Sequence, residues 1–98
     1  MAAYIVVGLE ITDPEGFARY REMVPATLEA YGGRYLVRGG ETETLEGSWD
    51  PARFVVIEFD SVDQAKRWWD SDEYREARDL RQATADTQMI VIEGYQGA

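Results

Sequence analysis

The feature that most constrains this chain is the order in which its hydrophobic spacing switches between that of a strand and that of a helix. Tyr4 to Ile11 is a β-rich run that ends at Thr12-Asp13-Pro14. Asp13 can cap a helix there, and Pro14 suits its first position because its missing N–H would have no partner anyway. Phe17, Tyr20, Val24, Leu28 and Tyr31 then recur at spacings of three and four, one helical face, and Gly32-Gly33 supplies a stop. Pro25 lies inside that helix and removes the hydrogen bond to the Arg21 carbonyl, which predicts a kink or two short helices meeting there.

Arg34 to Arg38 reads as a second strand, and Arg53 to Phe59, nearly all β-branched or aromatic, as a more central third. Ser61-Val62-Asp63-Gln64 is a capping box opening a short helix with Ala65, Trp68 and Trp69. Ser71-Asp72-Glu73 restarts a helix that carries Tyr74, Ala77 and Leu80 on one face, so the second helical region is broken near Asp70. Thr87 to Tyr95 closes the chain as a fourth strand, and Gln96-Gly97-Ala98 reads as a frayed end.

The order β-α-β-β-α-β is that of a ferredoxin-like α+β fold: a four-stranded antiparallel sheet with right-handed crossovers that place both helical regions on one face. Residues 1–98 are expected to form one domain, because neither a linker nor a repeat interrupts the pattern. Alternation assigns Ile5, Val7, Leu9, Val55, Ile57, Phe59, Ile90 and Ile92 to the helix side. The opposite set is Tyr4, Val6, Glu10, Leu36, Arg38, Phe54, Val56, Glu58, Met89, Val91, Glu93 and Tyr95. That set is too apolar to face water, so a second sheet is expected to cover it and the chain to work as a homodimer.

Composition removes most common chemistries. The chain has neither Cys nor His, which excludes disulfides, thiolate nucleophiles, the usual general base and the usual transition-metal or haem ligand. With 19 acidic against 10 basic residues and a net charge of −9, its field repels phosphate backbones and anionic lipid, so neither nucleic acid nor membrane is an expected partner. The first ten residues lack a signal-peptide pattern, and a cytoplasmic location is the expectation.

Several segments carry a family resemblance: Tyr31-Gly32-Gly33-Arg34-Tyr35, Arg38-Gly39-Gly40, Glu46-Gly47-Ser48-Trp49, Arg53 with Glu58-Phe59, Trp68 to Tyr74, and Arg81. In order and spacing they resemble the domain-of-unknown-function family 1330, within the dimeric α+β barrel superfamily. The resemblance implies the fold and a homodimer, and it implies no reaction. The superfamily is similar in architecture to cofactor-independent monooxygenases, muconolactone isomerase, chlorite dismutase, haem-degrading enzymes and ligand-sensing regulatory domains, so fold does not give function. Lacking His, this chain departs from the relatives that ligate haem through it.

Candidate site residues follow from side-chain chemistry. Gly32-Gly33 and Gly39-Gly40 fit no phosphate-binding spacing and read as turns. Glu41, Glu43 and Glu46 match no calcium loop and read as a solvated or edge-protecting stretch, so no metal is expected. Arg38 and Glu58 project to the same face by alternation; they form either a structural ion pair or an anchor and a titrating group for an anionic ligand. Trp49 sits in a long connection, where it either lines a site or pins the loop to the body. Tyr20, Arg53, Tyr74 and Arg81 complete the ligand-binding set, with packing and surface pairing as their plainer roles. No cofactor is expected. The function expected is a small-molecule-binding or accessory module; the alternative is a cofactor-independent, monooxygenase- or isomerase-like enzyme for a small acidic organic substrate.

Overall fold

The computed structural model describes residues 2–95. The chain runs β1 (Ala3–Ile11), α1 (Pro14–Ala30), β2 (Arg34–Arg38), β3 (Arg53–Phe59), α2 (Val62–Trp69), α3 (Asp72–Thr84) and β4 (Ala85–Glu93). The strands form one antiparallel sheet in the order β2-β3-β1-β4, the ferredoxin-like arrangement expected from the element order. Gln96, Gly97 and Ala98, expected to fray, lie outside the described residues.

Local signals start and stop the helices as the sequence indicates. The Asp13 carboxylate accepts from the Gly16 amide at the start of α1. At its end Gly32 takes φ 72°, and the Gly33 and Gly32 amides donate to the Leu28 and Glu29 carbonyls. That pairing is a Schellman stop, which needs a residue free to enter the left-handed region. Ser61 and Ser71 cap α2 and α3, and the break between them falls at Asp70.

Pro25 does not divide α1, which is one helix from Pro14 to Ala30. The Arg21 carbonyl that Pro25 leaves without an amide donor is instead taken by the Arg38 guanidinium, at 2.8 Å. A side chain from β2 thus replaces the missing helical bond.

The core lies between the helices and one sheet face: Ile5, Val7, Leu9, Val55, Ile57 and Phe59 pack against Phe17, Val24, Leu28, Trp68 and Tyr74. Two parts of the expected sorting are overturned. In β4, Ile90 pairs with Val6 and Ile92 with Tyr4, so both point to the open face and are 59% and 50% exposed. Met89 and Val91, opposite Val7 and Ile5, take the helix side instead. The run Met89-Ile90-Val91-Ile92 is apolar on both sides, so alternation carries no parity there and pairing with β1 decides. In β2, the register shifts between Tyr35 and Val37, leaving Leu36 as the extra residue of a bulge. The bulge reverses parity, so Arg38 sits opposite Val55 on the helix side and not on the face that holds Glu58.

Candidate functional site between the helices and the sheet

The bulge separates the two residues expected to act together. Glu58 faces Arg34 across the strands, with Nε 2.6 Å from Oε1, on the open side of the sheet. Trp49 lies on that side too, its ring edge-on to Phe54 at 5.6 Å. The other sequence candidates, Tyr20, Arg38, Arg53, Tyr74 and Arg81, converge on the opposite side, between α1, α3 and the sheet.

The helices set this geometry. The same face of α1 that buries Phe17 and Val24 buries Tyr20, and the α3 face that buries Ala77 buries Tyr74 and Arg81. The Thr12 and Asp13 amides both donate to the Thr84 carbonyl, tying the start of α1 to the end of α3. Tyr20 and Tyr74 thereby meet hydroxyl to hydroxyl at 2.8 Å, and Arg81 Nη1 donates to the Tyr74 oxygen, also at 2.8 Å. Trp68 stacks on Tyr74 with ring centroids 4.0 Å apart, and its indole N–H donates to Thr27 Oγ1.

At the other end of the cluster, the Arg38 guanidinium lies 4.5 Å over the Tyr35 ring and that of Arg53 lies 5.7 Å from the Phe17 ring centre. Gly39 makes room for Arg53: with φ 72°, it would place a Cβ 2.5 Å from the Arg53 guanidinium carbon. A cavity of about 20 Å³ runs among Tyr20, Arg21, Tyr35, Arg38, Arg53 and Arg81. That is room for about one water molecule.

Charge is the unusual property of the cluster. Among the described residues, carboxylates lie within 4.0 Å of Arg34, Arg75 and Arg78, and none pairs with Arg21, Arg38, Arg53 or Arg81. Arg81 is 3% exposed. Its Nε and that of Arg53 are buried without a hydrogen-bond partner. Arg21 and Arg38 reach solvent and Arg53 is partly buried, so the buried charge without a carboxylate is that of Arg81; such a charge costs several kcal/mol, and it persists in a chain with 19 acidic residues. Burial, and then the positive charges of Arg21 and Arg38, lower the Arg53 pKa.

The tyrosines are held as neutral phenols. Burial raises Tyr20 and Tyr74, and it pushes Tyr35 up to about 12 against the opposing pull of Arg38. At neutral pH the cluster therefore presents phenol and guanidinium donors, with no carboxylate or imidazole among its members. Such a set is suited to binding an oxyanion. Sequence reasoning missed Tyr35, Trp68 and Arg21. The one legible signal was Pro25, which frees the Arg21 carbonyl that holds Arg38.

The fold and its helix-side cluster define a small ferredoxin-like protein, a class that recurs among known structures. A protein of unknown function from Rhodopseudomonas palustris matches with a TM-score of 0.80 at 19% identity, covering 98% of this chain and 84% of that one. A dimeric ferredoxin-like protein of unknown function from Jannaschia sp. CCS1 matches with a TM-score of 0.66 at 14% identity, over 96% and 100% of the two chains. SnoaB, a cofactor-independent oxygenase from Streptomyces nogalater, matches with a TM-score of 0.58 at 11% identity, over 98% and 95%. No curated protein matches the sequence. Residues 2–95 match the family model of the domain of unknown function DUF1330, and the chain belongs to that family.

Proposed function

We propose that this protein is a cytoplasmic homodimer that binds a small organic anion on the helix side of its sheet, with Arg81 as the principal anchor. The observation that carries this reading is the Arg81 guanidinium: nearly fully buried, bonded to the Tyr74 phenol, and without a carboxylate. Arg38 and Arg53 add positive charge from the adjoining water-sized cavity, and Tyr74, itself bonded to Tyr20, holds the Arg81 guanidinium in place. Glu58 and Trp49 lie on the other face and belong to the sheet surface that a second copy covers. The dimeric state of the Jannaschia protein supports that assembly.

A second reading, a cofactor-independent enzyme, is favoured by the Tyr74 hydroxyl, which touches both Tyr20 and Arg81 and so offers a short path for a proton. The oxygenase activity of SnoaB on the same fold supports it. The binding reading ranks first because the cluster holds no group that accepts a proton at neutral pH.

A thermal-shift screen of small carboxylates, enols and phenols tests both. A compound at a hundredfold excess over its Kd should stabilise the wild type by about 2.7 kcal/mol. Arg81→Met should abolish that gain without lowering the melting temperature of the free protein, since it removes a desolvated charge and keeps the volume. Glu58→Gln should keep the gain. Wild type stabilised by no compound, with Arg81→Met melting far lower, would reduce Arg81 to a structural residue. Recovery of the ligand unchanged identifies a binding module; recovery of a changed compound identifies an enzyme.

A further inference from the structure

The internal cavity is too small for an organic molecule, yet Arg81 and Met89 also border a second space. Beside β4 an open groove of about 930 Å³ runs between the edge of the sheet and the α2–α3 helices. Its volume lies within the range of small-molecule sites, about 300–1,000 Å³. The walls include Ile5, Ala65, Trp69, Met89 and Val91, and Lys66, Asp70, Gln82, Asp86 and Gln88 also border it.

Two orphan polar atoms belong to residues of this groove. Arg81 Nε and Thr87 Oγ1 are both buried without a hydrogen-bond partner. Arg81 Nη1 is already engaged by Tyr74 and lies 4.0 Å from Met89 Sδ, whereas Nε is buried with its N–H unused. Arg81 and Thr87 both border the groove, and a guanidinium N–H with a hydroxyl matches one planar, singly charged group, while the apolar part of the lining suits a hydrocarbon body attached to it. A phosphate dianion would meet stronger repulsion from a chain of net charge −9.

We propose that the groove beside β4 holds the apolar body of a monocarboxylic acid whose carboxylate is bound by Arg81 Nε and Thr87 Oγ1. This rests on the reading of Arg81 as an anion anchor and names the class of its ligand. The groove sets the length of the body, and Met89, which borders both spaces, separates the acid site from the internal water-sized cavity.

The test titrates acetate, butyrate, pentanoate and hexanoate, with hexanol as the uncharged control, by calorimetry against wild type, Val91→Trp and Thr87→Val. Val91 is about one-third exposed, so a larger ring there fills the groove without entering the core. In the wild type, affinity should rise about fourfold per methylene, the factor that corresponds to ~0.8 kcal/mol per buried CH₂, and hexanol should not bind. Val91→Trp should abolish the dependence on length, and Thr87→Val should weaken every acid about tenfold. Acids that bind with no dependence on length, equally in wild type and Val91→Trp, would overturn the groove and leave the Arg81 anchor standing. No binding by any acid would remove the anchor itself, and this proposal with it. A Val91→Trp variant that binds acids normally but changes subunit mass in light scattering would show that a second copy covers the groove, which also overturns the proposal.

Discussion

At the scale of single residues, the site is built from backbone and charge frustrations that would be defects elsewhere. Pro25 withholds a helical hydrogen bond, and Arg38 takes the vacated carbonyl of Arg21. Pro25→Ala should therefore restore the helical bond and raise stability by up to about 3 kcal/mol, less the roughly 0.4–1 kcal/mol that the freer unfolded chain takes back. It should also weaken anion-induced stabilisation, because the Arg21 carbonyl is no longer available to fix Arg38. Calorimetric melting with and without a bound carboxylate separates the two effects; a variant that gains stability and keeps its full ligand response would show that Arg38 is not part of the site. The buried phenols predict a second behaviour. Tyr35 ionises at about 12 in the folded chain against 10 unfolded, and burial raises Tyr20 and Tyr74 as well. Because the folded pKa is the higher one, this stabilisation is complete below pH 10 and is lost as pH climbs through 12. Melting temperature should fall across that window together with the rise in tyrosinate absorbance, and Tyr35→Phe should flatten the fall. A flat profile in the wild type would contradict the burial of these hydroxyls.

At the scale of elements, sequence and structure agree where periodicity and end signals coincide. The strand Arg53–Phe59 and the helix break near Asp70 are both legible, because β-branched runs and serine caps act locally. Two faces were misread for one reason: side-chain parity is a property of pairing, not of the strand alone. In β4 four successive apolar residues give no alternation to read, and the register with β1 decides that Ile90 and Ile92 face outward. In β2 one extra residue, Leu36, reverses everything after it and carries Arg38 to the helix side. Tyr20, Arg38, Arg53, Tyr74 and Arg81 were legible as residue types and Arg21, Tyr35 and Trp68 were not, and the grouping was not legible either, since Arg38 and Glu58 looked like neighbours only in the absence of a bulge. Deletion of Leu36 is the corresponding test. The flanking pairs Tyr35 with Ile57 and Val37 with Val56 already run past it, and Leu36 is 52% exposed. Removing it takes away no contact of the helix-side core, so the melting temperature should change little. It should also keep Arg38 opposite Val55 and retain the ligand response. Loss of the ligand response in a variant that melts normally would mean that the twist of the bulge, and not parity alone, aims Arg38.

At the scale of the whole molecule, the described chain is a slab of 42 × 39 × 16 Å with helices on one side of the sheet only. The uncovered side presents Leu36, Val37, Trp49, Ile90 and Ile92, all more than a third exposed, beside the half-buried Val6, Phe54 and Val56. A standard interface takes about 800 Å² from each partner. That is roughly an eighth of the 6493 Å² this chain exposes, an area within reach of one sheet face. In the proposed dimer two copies packed through these faces would cover the apolar surface, but each brings a net charge of −9. Apolar burial must therefore outweigh repulsion between two acidic bodies, and salt should strengthen the dimer, the opposite of an association driven by charge attraction. The screening length falls from about 30 Å at 0.01 M to about 3 Å at 1 M, so the dissociation constant should tighten severalfold across that range. Ile90→Lys places a charge in the middle of the face and should yield a folded monomer, because Ile90 contributes nothing to the helix-side core. Light scattering after gel filtration reads the mass, and circular dichroism confirms that the helices persist. A wild-type monomer at micromolar concentration, or a dimer that weakens as salt is added, would defeat the two-sheet assembly and leave the open face to a partner of different chemistry.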